Sequence, residues 1–288
     1  MSERFGFSIL NYNSFIETKK CIESILMCCD KAEYRIVIVD NASPDGSGET
    51  LFNLYSDNPR IHVILNDNNS GFAIGNNYGF RYLKKLGCDF IFLLNSDVEL
   101  MEGFSLQKIE EYYNDHHFAA MGPRIITNSY NSGKCNPVRL EPLSIHELRI
   151  TYVKLLVRLI LWEIGIGRFI SYDGNKRRIN RCKIDYDQIH ENVELHGCCL
   201  VFSKEFICKK EGLNEVTFMY GEEDILYYEL LLEELKTIYI PDVCVFHYEK
   251  KSTENSFPNI RKKKIFELKN RVKSMQHVIG IAENYWKK

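Results

Sequence analysis

Along the first hundred residues, short apolar runs alternate with polar, turn-forming clusters. The runs are 5–10, 35–39, 61–65 and 90–94. They end, in turn, at Asn11 and Asn13, at Asp40 and Asn41, at Asn66, and at Asn95, Ser96 and Asp97. Between them, 17–27 carries Cys21, Ile22, Ile25 and Leu26 at helical spacing, and 49–55 and 72–86 are further helix candidates. This rhythm predicts βαβ crossovers and a mainly parallel sheet. The unbroken apolar run at 90–94 marks a strand covered on both faces. In such a sheet the loops at Asn11, Asp40, Asn66 and Asn95 emerge on one edge, where open α/β sheets bind ligands. Asp97 is therefore the first candidate for chemistry, although taken alone 95–97 fits a plain turn.

Beyond Leu100 the pattern changes. A helix is expected at 104–113, a short strand at 118–121 ended by Gly122, Pro123 and Arg124, and a polar excursion at 128–136. Tyr152, Leu155, Leu156, Leu159 and Ile160 follow helical spacing, with Val153, Val157, Leu161 and Trp162 widening the face and Arg149, Lys154, Arg158 and Arg168 alongside. Such a helix suits a membrane surface, its own domain or a second subunit. The polar stretch 169–192, with Lys176, Arg177, Arg178, Arg181 and Lys183, reads as a surface loop or lid. A strand at 198–202 and a helix at 204–210 follow. Glu222, Glu223 and Asp224 then precede a helix at 225–235. They fit a helix N-terminus, where the dipole favours negative charge, as well as they fit catalysis. A strand at 237–240 is expected to break at Pro241, and 243–246 runs to His247, a ligand or base candidate or an ordinary surface histidine. In the basic tail from Arg261, Ile265, Leu268, Val272, Met275 and Ile279 lie near helical spacing. That tail suits anionic lipid, an acidic partner or a solvated face.

Composition narrows the classes. A net charge of -2 over 288 residues argues against a nucleic-acid binder. The ten cysteines form no CxxC pair and no secretory leader precedes them, so reduced thiols in a cytoplasmic protein are expected. No apolar run approaches the ~18 residues that span a bilayer. A GxGxxG turn is absent after the first strand, as is a GxxxxGK[ST] loop. Gly71, Gly75 and Gly79 fit either close helix packing or close approach to a ligand.

Taken together, VIVDNASPDGS (37–47), NNSGFAIGNNYG (68–79), FLLNSDVEL (92–100), the strand at 197–202, MYGEEDILYYEL (219–230) and the 241–247 segment resemble the family 2 glycosyltransferases of GT-A fold. The likeness is to their bacterial rhamnosyltransferase-like branch. It implies a Rossmann-like α/β domain over 1–248, with a nucleotide-sugar half at 1–100 and an acceptor half at 101–248. A variable insertion lies near 128–192, and a basic helical extension occupies 249–288. It implies inverting transfer of rhamnose or another hexose from a UDP-, GDP- or dTDP-linked donor to a saccharide or lipid-linked saccharide, as in capsule or O-antigen synthesis. Asp40 would contact the base or ribose, with Asn11 and Asn13 nearby and Asn41, Asn69, Gly71, Asn76, Asn95 and Ser96 bordering the donor. Asn95 replaces the first aspartate of the family's DxD motif, leaving Asp97 as chief ligand of Mn²⁺ or Mg²⁺. His247 would complete the metal or diphosphate contacts. Asp224 would be the general base beside Glu223, with Glu222 or Glu223 as alternatives for holding the acceptor. A lipid-linked acceptor would give 152–162 and 261–279 reason to touch the inner face of a membrane; a homo-oligomer stays open. A nucleotidyltransferase and a non-catalytic nucleotide-sugar-binding protein are the other readings. The sequence departs from the branch at Tyr227, Tyr228 and Glu229, where a basic residue is usual, and at Gly212, the remnant of a glycine pair.

Overall fold

The computed structural model describes residues 4–29, 33–129, 132–167, 184–249 and 259–288. The basic cluster from Lys176 to Lys183 lies outside them, as do parts of the 128–136 excursion. The chain runs β1 (Phe5–Asn11), α1 (Phe15–Cys28), β2 (Tyr34–Asp40), α2 (Ser47–Tyr55), β3 (Ile61–Leu65), α3 (Phe72–Lys85), β4 (Phe90–Asn95) and β5 (Val98–Leu100). It continues through α4 (Leu106–His116), β6 (Ala120–Ile126), α5 (Ile145–Glu163), β7 (His190–Glu191), β8 (Cys199–Ser203), α6 (Lys204–Lys209), α7 (Glu222–Leu232), β9 (Thr237–His247) and α8 (Ile260–Lys287).

One sheet has the order β3-β2-β1-β4-β8-β6-β9-β5, with β7 also on β9. The first four strands are parallel, as the βαβ rhythm requires. The second half adds antiparallel pairs of β8 with β4 and β6, and of β5 and β7 with β9. Both sheet faces are covered, which is why the central strands are apolar throughout. Phe5, Phe7, Ile9, Phe90, Phe92 and Leu94 point into one core with Cys21, Ile22 and Ile25 of α1 and Ile109 of α4. Val37, Val39, Ile91 and Leu93 point into the other with Phe80 and Leu83 of α3 and Phe206 of α6. Phe7 and Phe92, paired across β1 and β4, stack at 4.5 Å and help lock that register.

The boundaries at the two prolines and at the start of α7 differ from expectation. Strand β6 runs through Gly122-Pro123-Arg124 rather than ending there. Strand β9 passes through Pro241 unbroken, because the pairing with β6 jumps from Pro123↔Ile240 to Arg124↔Cys244. Such an irregularity accommodates a proline without an N–H to donate. Helix α7 begins at Glu222 rather than at 225, and the three carboxylates form its first turn, in keeping with their fit to a helix N-terminus. The α5 and α8 helices pack on each other and on α7: Leu148, Ile225, Tyr228, Val278 and Ala282 form one small core, and Leu155, Leu268 and Val272 another.

The glycines of α3 serve packing. A Cβ on Gly79 would stand 2.0 Å from Ser8 Oγ, and one on Gly75 2.7 Å from Leu10 Cδ1. Gly79→Ala is expected to destabilise the fold by about 1–3 kcal/mol through overpacking. Gly280→Ala, in α8 where a Cβ meets nothing within 4 Å, is expected to add up to about 1 kcal/mol. Urea denaturation of the two variants checks both signs.

Candidate functional site

The carboxyl ends of β1, β2 and β4 meet, because Asn11 pairs with Asp40 and Leu10 with Asn95 in register. Asn11 is fully buried and donates through Nδ2 to Asp40 Oδ1 (2.6 Å) and Ser47 Oγ (2.9 Å). Its Oδ1 accepts from Thr18 Oγ1 at 2.7 Å. Asp40 further accepts from the Ser43 N–H and hydroxyl. Gly48 gives it room, since a Cβ there would stand 2.4 Å from Asp40 Cγ. Asn13 and Ala42 hold positive φ at 52° and 59°, uncommon for residues with side chains. Asn13 Oδ1 is buried without a hydrogen-bond partner.

Asn41 fastens this edge to the next loop. Its Nδ2 donates to Asn69 Oδ1 and Gly71 O, both at 3.0 Å, and its Oδ1 accepts from Asn66 and Ser70. Gly71, at φ 87°, lies so close to Phe218 O that a Cβ would come within 2.3 Å. Asn76 donates to Phe72 O within its own helix. Asn77 pins α3 to the 213–215 loop through Leu213 and Glu215.

Asp97 occupies the corner between β4 and β5. Pairing of Val98 with His247 fixes the corner, and the Tyr248 N–H donates to Asp97 O at 3.0 Å. His247 Nε2 lies 3.3 Å from Asp97 Oδ1. Asp97 Oδ2 is buried and has no hydrogen-bond partner. Ser96 accepts from Ser14 Oγ at 3.1 Å, and the Asn95 N–H donates to Cys198 O at 2.9 Å. A recess lined by Glu17, Lys20, Asp97, Glu99 and Tyr248 opens beside the corner.

His196, passed over in the sequence although it directly precedes Gly197, stacks edge-on against His247 at 5.8 Å. Burial, and then His247, push its imidazole down to about 4 against the pull of Asp97. Its Nδ1 accepts from the Cys198 N–H at 3.1 Å, and the backbone N–H of His196 donates to Oδ1 of buried Asn136.

The carboxylates of α7 divide. Glu223 lies over Gly197, where a Cβ would come within 2.6 Å of its Oε1. Burial raises its carboxyl above the usual range and Asp224 adds to this; the N–H groups of Glu223 and Gly197, and Arg271, pull the other way. Glu222 accepts from Thr217 Oγ1 at 2.9 Å and is pushed up to about 7 by burial and then by Glu223. Asp224 forms an ion pair with half-buried Arg139, which also pairs with buried Glu194. No local pattern announces Arg139 or Glu194, because they meet only when Val138 and Arg139 pair with Glu194 across the backbone. Tyr227 and Tyr228, at the departure from the branch pattern, are buried and donate to Asn192 O (2.9 Å) and Leu143 O (2.7 Å). Helix α8 closes on the turn before α7. Ser274 is 3.0 Å from where a Gly221 Cβ would sit, and the Arg271 guanidinium lies 5.0 Å over the Tyr220 ring.

The family description "Glycosyl transferase family 2" fits residues 8–174, more than half of the chain. The chain belongs to glycosyl transferase family 2. The matched segment contains the edge residues Asn11, Asp40, Asn69 and Asp97. No curated protein matches the chain. Among solved structures, S. aureus TarS 1-349 is similar with a TM-score of 0.54 and 13% identity over 85% of this chain and 60% of that one. TarS 1-349 in complex with UDP-GlcNAc gives 0.54 and 12% over 92% and 64%. GalNAc-T7 with UDP, GalNAc and Mn²⁺ gives 0.59 and 14% over 86% and 44%. The chain thus spans less than two thirds of these chains, and at such identity the likeness establishes the GT-A fold alone.

The donor set at the corner suits a hard divalent cation. Asp97 Oδ2 is an orphaned buried oxygen, and His247 adds a nitrogen. Among the described residues no three His, Cys, Asp or Glu side chains gather into a metal site. A cation that takes one or two protein ligands and completes its shell with substrate phosphates fits this arrangement.

Glu222 supplies a pH test. Its folded value lies above its ordinary one, so the folded state keeps a proton that the unfolded chain releases. The stability linked to it is fully present below the unfolded value and is lost as pH rises through about 7. Glu222→Gln is expected to exceed the parent by roughly 2–3 kcal/mol at about pH 8, with the two converging near about pH 4. Urea melts across that range measure the difference.

Proposed function

We propose that this family member is an inverting glycosyltransferase that moves a hexose, rhamnose included, from a nucleotide-diphosphate donor to a saccharide or lipid-linked saccharide. The reading is carried by the Asp97 corner: a buried, unpartnered carboxylate oxygen beside His247, at the sheet edge where the Asn11, Asp40 and Asn41 networks converge. Asp40, Asn13 and the 69–71 loop border the nucleoside, and Asp97 with His247 faces the diphosphate. Asp97 and His247 would hold a divalent Mn²⁺ or Mg²⁺, which would offset the charge of the departing diphosphate. The motif resemblance supports the rhamnosyltransferase-like branch and a product in bacterial surface polysaccharide such as capsule or O-antigen. The bound UDP-GlcNAc of TarS and the UDP and Mn²⁺ of GalNAc-T7 make UDP-linked donors the first to test.

For the base, the geometry favours Glu223 over Asp224. Glu223 sits on Gly197, one residue from Cys198, whose carbonyl holds Asn95. It therefore lies on the donor side. Asp224 already gives Oδ1 to Arg139. In this reading Glu223 takes the acceptor hydroxyl's proton as that oxygen attacks the anomeric carbon from the face opposite the leaving diphosphate. A single displacement of this kind inverts configuration. Asp224, through Arg139 and Glu194, fixes the first turn of α7 that presents Glu223.

Two predictions separate these roles. Glu223→Gln is expected to lower kcat by about 10²–10⁴-fold with donor affinity retained, whereas Asp224→Asn costs about 1–2 kcal/mol of stability and leaves substantial turnover. The opposite ranking in kcat would return the base to Asp224. Calorimetry with UDP-, GDP- and dTDP-sugars in Mn²⁺, Mg²⁺ or EDTA is expected to show metal-dependent binding of one nucleotide class, lost in Asp97→Ala. Turnover should release nucleoside diphosphate; pyrophosphate would instead mark a nucleotidyltransferase.

A further inference from the structure

The carboxy-terminal helix follows α7 step by step. Its Val278 and Ala282 pack with Ile225 and Tyr228, Tyr285 meets Tyr228 ring to ring at 6.1 Å, and Lys288 Nζ donates to Leu232 O at 3.2 Å. In the first half of α8, Leu268 and Val272 pack with Leu155 of α5. The stretches 152–162 and 261–279 thus spend much of their apolar surface on each other, and no helix among the described residues is long and apolar enough to cross a membrane. The same half of α8 carries a further face, which reaches past the start of α7 onto the turn in front of it. Phe266 meets Phe218 edge to face at 6.2 Å, the Arg271 guanidinium lies 5.0 Å over the Tyr220 ring, and Ser274 Cβ is 3.0 Å from where a Gly221 Cβ would sit.

That turn needs holding. Tyr220 and Gly221 both have positive φ, 71° and 92°, directly before Glu222. Glycine adopts such backbone freely, but for a side chain as bulky as tyrosine it is an outlier that persists only where its surroundings impose it. From the other side, the Phe72 N–H donates to Phe218 O at 2.8 Å, which ties the turn to the 69–71 loop. The turn is therefore clasped between the sheet edge and α8, and Glu223 lies two residues beyond it. The charges near Glu223 come from each element packed on it. Its own helix supplies Glu222, pushed up to about 7 by burial and then by Glu223 itself, and Asp224, which Arg139 matches. The strand side offers the Gly197 N–H, the Cys198 thiol, held protonated by burial, and His196, pushed down to about 4 by burial and then by His247. Helix α8 supplies Arg271, a cation that favours the ionised form of Glu223. Its Nε lies 3.2 Å from Glu267, which also pairs with Lys264 at 2.7 Å, so two cations share one carboxylate there.

We propose that Arg271 is a positioning residue for Glu223: from α8 it pins the Tyr220–Gly221 turn and sets a positive charge near the carboxylate that receives the acceptor's proton. The inference rests on the reading of Glu223 as the base, and it adds the device that keeps that base in place and ready. A carboxylate taken out of water favours its neutral form, which cannot accept a proton, and a nearby cation opposes that drift. Arginine suits both tasks at once. Its planar guanidinium stacks on an aromatic face and keeps its charge there.

Nuclear magnetic resonance of the full chain, with glutamate isotopically labelled at its side-chain carboxyl, tests this without any sugar or metal. The Glu223 signal is the one lost in Glu223→Gln. Arg271→Met keeps the aliphatic stem and loses the charge. Loss of a positive charge disfavours the carboxylate, so the midpoint of the Glu223 titration is expected to rise by about one unit. Arg271→Lys, which keeps the charge, is expected to hold it within about half of that. Should Arg271→Met fail to fold by circular dichroism, Arg271→Gln takes its place under the same criteria. An unmoved midpoint overturns the proposal, and so does Arg271→Lys shifting it as far as Arg271→Met, which would leave packing alone. With a donor of the class that calorimetry selects, Arg271→Met is also expected to lower kcat about tenfold with donor KM unchanged; a kcat equal to the parent's overturns it. Turnover by Glu223→Gln at the parent's rate would remove the base reading and this role with it, whereas an unmoved midpoint removes the role alone.

Discussion

A carboxylate oxygen held out of water with no donor is the constraint on which the site rests. Leaving such a group unsatisfied costs about 1–3 kcal/mol, more when it is charged. Asp97 Oδ2 is in that position because its corner is fixed from both sides. Strand β4 is clamped between two cores, and β5 is held by β9, whose end also supplies His247 and the Tyr248 N–H. The corner cannot relax toward solvent without breaking the sheet edge. A ligand that brings positive charge to that oxygen would recover the cost.

The other half of the site is built by a different device. Buried amides shape this edge of the sheet: Asn11 arranges Asp40, and Asn41 ties the β2 loop to the start of α3. An amide can donate and accept at once, so one side chain can fix two loops. On the far side, α7 presents Glu223 to Gly197 and Asp224 to Arg139 from adjacent positions. Helix α8 presses on the turn before them, and Arg271 over Tyr220 brings positive charge near Glu223. Within α7, Tyr227 and Tyr228 act as structural pins, and the cation near Glu223 comes from the carboxy-terminal helix.

The amino-terminal half of the fold was legible because its strands are covered on both faces and its helices recur at βαβ spacing. Periodicity alone identified β1 to β4 to within a residue or so at most ends, and the convergence of Asn11, Asp40 and Asn95 followed from parallel order. Strands β5 and β7 escaped notice because three and two residues carry no period. Pro123 and Pro241 read as breaks because a proline's missing N–H matters only where the partner strand needs it, and the register shift between them lies in the pairing, not in either sequence. The Arg139–Glu194–Asp224 cluster was invisible for the same reason: it is a product of tertiary pairing. The helix at 152–162 was correctly amphipathic, but with two apolar faces. Periodicity could not say which would find a partner.

The most direct measurement is a crystal structure of the full chain with a nucleoside diphosphate and Mn²⁺, with the metal located by its anomalous signal. The account predicts a single strong Mn²⁺ peak bonded to Asp97 Oδ2 at about 2.0–2.3 Å, shared with the diphosphate, and Asp40 beside the nucleoside. A nucleotide bound with Mn²⁺ elsewhere, or with Asp97 Oδ2 still unpartnered beside His247, would contradict it.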